Sequence, residues 1–170
     1  AKDQRVSSIQ ASSFIGIIDG SLTGLQYAGF MNILEGSMQG IQYAGFLNSV
    51  SGESTVEGAQ IAGFLNTADG GILGAQVAGF LNTADGPITG AQVSGFLNSA
   101  DGPITGAQVS GFLNSAGGSI TGAQVAGFLN RVDGTIDGAQ VSGGVNIAGT
   151  VHGAQIGIVN FADSNTGVSI

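Results

Sequence analysis

A segment that returns every 16 residues limits this chain to very few architectures. Gly90 to Ile104 reads GAQVSGFLNSADGPI, and nearly the same letters restart at Gly106. Glutamines mark the period at Gln10, Gln26, Gln42, Gln60, Gln76, Gln92, Gln108, Gln124, Gln140 and Gln155, with one 18-residue step and a last step of 15. A second column holds Asn32, Asn48, Asn66, Asn82, Asn98, Asn114, Asn130, Asn146 and Asn160. A third holds Phe14, Phe30, Phe46, Phe64, Phe80, Phe96, Phe112 and Phe128, ending in Gly144 and Ile158. Fixed-period self-similarity marks a repeat architecture. Sixteen residues is too short for a helix–turn–helix repeat or a propeller blade. It suits one coil of a small β-solenoid, and ten glutamine marks predict about ten coils.

An up-and-down barrel built of 16-residue strand-and-turn units is the competing fold. In a barrel, neighbouring strands run in opposite senses, so like columns need not meet. In a parallel stack each residue sits on its own copy, about 4.8 Å away. Stacked amides can hydrogen-bond along the stack, since each carries both donor and acceptor. Stacked phenyl rings also pack well. The predicted fold is therefore all-β: a parallel β-solenoid of 16-residue coils with two short strands per coil. Its structural ladders are Gln26, Gln42, Gln60, Gln76, Gln92, Gln108, Gln124 and Gln140; Asn32, Asn48, Asn66, Asn82, Asn98, Asn114 and Asn130; and Phe30, Phe46, Phe64, Phe80, Phe96, Phe112 and Phe128.

Turn chemistry places the corners. Asp-Gly recurs at 69–70, 85–86, 101–102 and 133–134, a turn signal in which glycine is free to take positive φ. Pro87 and Pro103 follow two of these pairs, where an amide donor is not needed. The Gln-to-Asn spacing is six residues in eight coils and five in the last. Within one straight strand that loss would turn every later side chain to the other face, so a bend is expected at the Ala-Gly or Ser-Gly between them. The strands then read about ITGAQV and FLNSA. Residues 1–8 read as a short polar arm, 9–170 as a single solenoid domain, and Ser51 to Glu57 as a longer surface loop.

Columns containing charged residues point to water: Thr89 with Glu57, Asp137 and His152, and Ser99 with Arg131. Alternation then puts Phe96, Asn98 and Ala100 inside and Leu97 outside. With phenylalanine outside instead, the apolar stripe is larger, and the columns alone leave that choice open. Either arrangement gives strand two apolar residues on both faces, the mark of an interaction surface.

Composition excludes several functions. Net charge is −8 with three cationic side chains, Lys2, Arg5 and Arg131, so there is no basic stripe for nucleic acid. There is no cysteine, hence no disulfide or thiolate metal site. No apolar run is long enough for a transmembrane helix. His152 is the only histidine, and in an outward column it reads as solvent-facing. Asp69, Asp85, Asp101 and Asp133 supply one carboxylate per coil, far from the six to eight oxygens calcium needs. No catalytic, metal or cofactor-binding residue is assigned and no cofactor is expected; the reading is not an enzyme.

Gly153 to Asn160, GAQIGIVN, resembles the GxQxGxxN repeats of bacterial outer-surface proteins and lipoproteins. The other coils carry one extra residue. The Gln and Asn columns are similar in logic to curli-type secreted β-solenoids that polymerise, at a shorter spacing. The resemblance implies export, a mature chain after signal-peptide removal, and an extracellular or cell-surface role. The expected function is a structural subunit of an extracellular fibre, self-assembling head to tail, with lateral association through the apolar stripe. The alternative is a monomeric bacterial surface or outer-membrane repeat protein, barrel or adhesin, that binds a partner.

Overall fold

The structure is a computed structural model describing residues 4–52 and 54–170. Its strands form one 19-stranded sheet that winds upon itself. Every pairing is parallel, and like residues superpose: Gln92 on Gln108, Asn98 on Asn114, Ala100 on Ala116. The fold is a parallel β-solenoid, not an antiparallel barrel.

A typical coil has a long strand, Ile88–Ser94, and a short one, Leu97–Ala100. One corner is Gly95–Phe96 and the other is Asp101–Gly102–Pro103. The carbonyls of Pro87 and Pro103 accept from the amides of Ile72 and Ile88, so these prolines pair through the group they retain. The long strand contains a feature the repeat pattern did not announce. Gly90 has φ 136°, and its column Gly74, Gly106, Gly122 and Gly138 shares the conformation. A Cβ there would run into the carbonyl oxygen of Gly74 one rung away. Both conditions admit only glycine.

All three departures from the 16-residue period fall in corners. The 18-residue step lies between Ser51 and Val56, at the acidic corner. The 15-residue step deletes a residue between Ala148 and Thr150, opposite Val132 to Thr135, where the register shifts. The shortened Gln155-to-Asn160 interval loses its residue between Ile156 and Val159, at the glycine corner. Strand register survives because corners have no inward alternation to violate. Gln4–Val6, in the segment read as a polar arm, pairs in register with Gly20–Leu22. Residues 1–3, and Glu53 of the loop, lie outside the described residues.

The interior has two compartments. Near the acidic corner it is aliphatic, built from Leu22, Met38, Val56, Ile72, Ile88, Ile104, Ile120 and Ile136 facing Ile18, Leu34, Val50, Ala68, Ala84, Ala100 and Ala116. Where the second column carries Ile18, Leu34 or Val50, the first carries Leu22, Met38 or Val56; where it shrinks to alanine at 68, 84, 100 and 116, the first is isoleucine, and the last coils combine Val132 with Ile136 and Ala148 with Val151. Near the glycine corner the interior is amide, filled by the Gln and Asn columns.

One expectation is corrected. Asn98 and Ala100 are inside, but Phe96 is 39% exposed and Leu97 is half-buried. The physical reason is the bend. Phe96 belongs to the corner rather than to the strand, so alternation counted back from Asn98 does not reach it. The space behind it is filled by the Asn98 amide, which bonds the carbonyl oxygens of Gln92 and Val109.

Candidate functional site: amide ladders and an apolar edge

The buried glutamines form one continuous chain of hydrogen bonds. Each Nε2 donates to the Oε1 of the preceding coil at 2.8–3.0 Å, from Gln26 on Gln10 to Gln155 on Gln140. A second bond crosses the core within the coil: Gln92 Nε2 donates to Ser99 O at 3.1 Å and Gln108 Nε2 to Ser115 O at 3.1 Å. Both amide hydrogens are thereby used. The backbone carbonyl also fixes the sense of the amide, because a flipped glutamine would set oxygen against oxygen.

The asparagines run the other way. Asn98 Nδ2 donates to Asn114 Oδ1 of the following coil at 2.9 Å and to Val109 O at 2.8 Å. The same pair of bonds repeats from Asn32 to Asn130. Here too the carbonyl on the following coil dictates which end of the amide faces it. A column of aligned amides sums its dipoles as a helix does. Two columns of opposite sense, side by side, largely cancel.

The Asn ladder is incomplete at its N-terminal end. Gly16 pairs with Asn32 where an asparagine would stand, and Asn32 Oδ1 is buried without a donor. At the C-terminal end Asn160 Nδ2 donates to Ile170 O at 2.9 Å, and Ser169 stacks on Gln155.

The phenylalanines that sequence placed among the ladders stack outside the core. Centroid separations are 4.8–5.2 Å from Phe14 to Phe128, with interplanar angles of 1–13°. Ring faces cover one another, so the stack presents ring edges to solvent. It stops at Gly144, beside the Phe128 ring. A neighbouring column that sequence analysis did not single out completes this edge: Tyr27 and Tyr43, stacked at 5.6 Å, then Val77, Val93, Val109 and Val125, each of the valines 39–40% exposed. The signal was available, since every member from Tyr27 to Ile156 is large and apolar at an outward position. The Val93, Phe96 and Leu97 columns contain no charged side chain. The row Asp69, Asp85, Asp101 and Asp133 lines the opposite corner.

The remaining polar groups are scattered. His152 Nδ1 lies 2.9 Å from Asp137 Oδ1, both exposed, while the Thr166 hydroxyl on the next rung donates to Val151 O. Arg131 pairs with Asp133 at 2.7 Å. A depression near the N-terminal coils is lined by Arg5, Ser21, Thr23, Gln39 and Glu57.

No protein-family model, curated protein or solved structure matches this chain.

Proposed function

We propose that this protein is a structural subunit of an extracellular fibre in which copies stack end to end, rung upon rung. The observation that carries the reading is that the first and last described rungs are both parallel strands paired on one side only. The glutamine column reaches the first rung at Gln10, and in the last rung Ser169 stands on Gln155. Among the described residues the Gln10 amide donates only to Ile17 O, which leaves its second hydrogen to donate away from the rod. At the far end Gln155 Oε1 meets only the Ser169 hydroxyl, at 3.5 Å. Large apolar side chains stand out at both ends: Ile9, Phe14 and Ile17 at one, Ile158, Phe161 and Ile170 at the other. A strand edge with unpaired backbone groups templates another strand, and head-to-tail contacts that do not close make filaments. Export and a surface location belong to this reading through the likeness to surface repeats.

The test is electron microscopy with sedimentation over a range of concentration. Filaments one rod wide, with about 4.8 Å meridional repeat, are the expected result. A double variant, Ile9→Lys with Ile158→Lys, places like charges on both ends and should yield single rods. Single rods from the unaltered protein at every concentration and salt would overturn the reading.

A further inference from the structure

We propose that the Val–Phe–Leu edge is a lateral docking surface for a second copy of this chain, the two rods lying side by side about a two-fold axis. This goes beyond end-to-end growth and stands whether or not the ends stack.

Area is the first argument. Phe64, Phe80, Phe96 and Phe112 are 38–40% exposed, and the valines beside them are equally open. Taking about 40% of the roughly 200 Å² of each aromatic, and somewhat less per valine, the edge offers on the order of 1,000 Å². The largest apolar patch on an ordinary monomer is about 300–600 Å². A stable pairing buries about 800 Å² per partner. One edge is therefore enough for a specific dimer, and more than a lone soluble rod ordinarily exposes.

Shape is the second. The valine and phenylalanine columns are ridges, and Gly45, Gly63, Gly79, Gly95 and Gly111 lie exposed between them as a channel without side chains. A partner for a straight channel spanning eight rungs must be straight and share its rung spacing. Another copy meets both conditions, and its phenyl ridge can seat in the channel while its own channel receives the first. Such an isologous contact is self-limiting, and its dry ridge-to-groove packing is that of a steric zipper.

Charge is the third. The carboxylates Asp69, Asp85, Asp101 and Asp133 occupy the corner farthest from the phenylalanines. Pairing by the apolar edge keeps the two acidic rows on opposite outer margins, where water and salt screen them. Ring faces are already occupied by stacking at 4.8–4.9 Å in the central coils. A sugar or base that binds by stacking would find only ring edges.

The chain has no cysteine, which makes the test direct. Cysteines placed one at a time at Val77, Val93 and Val109 should yield rapid disulfide-linked dimers from at least one position, and Asp85→Cys none. Sedimentation should show a dimer with Kd in the micromolar range or tighter. The exposed double variant Val77→Lys with Val109→Lys should weaken it at least ~100-fold, with the denaturation midpoint nearly unchanged when both proteins are compared below the dimer Kd. Solution scattering separates this contact from end stacking, since lateral pairing doubles the cross-section and end stacking lengthens the rod. A monomer at ~100 µM, a dimer indifferent to the lysines, or equal cross-linking through Asp85→Cys would overturn the proposal. So would flotation with phosphatidylcholine vesicles without self-association, which would make the partner a lipid surface.

Discussion

Gln92 and Asn98, six residues apart in one coil, point their amides in opposite directions along the rod. Gln92 donates back to Gln76 at 2.8 Å, and Asn98 donates forward to Asn114 at 2.9 Å. The core is thus a pair of opposed hydrogen-bond chains bounded by backbone carbonyls. Interrupting either chain strands buried polar atoms on both sides of the break.

Gln92→Ala leaves Gln76 Oε1 and one hydrogen of Gln108 Nε2 without partners. At ~1–3 kcal/mol for each buried unsatisfied group, destabilisation of ~2–6 kcal/mol is expected. Gln92→Leu keeps the volume and should recover only the cavity part of the loss. Denaturant unfolding of the two variants checks this, and a change below ~1 kcal/mol for either would show that the ladder adds little.

The gap at Gly16 is an opportunity for stabilisation. Asn32 Oδ1 has no donor, and a Cβ at Gly16 would approach only the flexible side-chain ends of Asn32, Gln10 and Gln26. Gly16→Asn should extend the ladder by one rung and raise stability by ~1 kcal/mol. The thermal midpoint is the readout, and a fall in it contradicts the account of the orphan.

Ser94, Ser110 and Ser142 bury hydroxyl oxygens that have no partner. Their column holds alanine at positions 28, 44, 62, 78 and 126, so the site already accepts a methyl group. Ser94→Ala and Ser110→Ala should each stabilise by up to ~1 kcal/mol. Urea midpoints that fall in both variants would mean that the hydroxyls find partners in solution.

Gly90→Ala combines an unfavourable φ with a backbone collision. Strain of ~1–3 kcal/mol from each source predicts a loss of ~2–6 kcal/mol. Ala91→Gly, next to it, should cost about 1 kcal/mol. Equal midpoints for the two variants would show that the rung can relax around a Cβ at position 90.

Asp85 and Asp101 follow strands that superpose, so their carboxylates stand one rung apart. At about 4.8 Å two like charges in water repel by ~1 kcal/mol. Raising sodium chloride from low to high concentration should stabilise the rod, and Asp85→Asn should reduce that dependence. A salt-independent midpoint would mean that the acidic row is already neutralised.

Most of the fold was legible because it is a matter of counting. Superposed Gln26, Gln42 and Gln60, with length changes confined to corners, follow from the spacing of like letters. Like stacked on like is the arrangement that lets a buried amide satisfy both its donor and its acceptor. The loss of one residue between Gln155 and Asn160 pointed to the bend for the same reason.

Where Phe96 points was not legible. Alternation carries only along a straight strand, and whether residue 96 still belongs to the strand depends on where Gly95 bends the chain. The opposed senses of the Gln and Asn ladders were equally hidden, since a column of identical letters has no direction. The Ser99 and Val109 carbonyls decide it, from strands that only the closed coil brings against those amides. By itself the sequence determined the period, the parallel stacking and the amide core; the tertiary structure decided which face is apolar and which way each ladder donates, because both depend on groups that meet only across a corner or between coils.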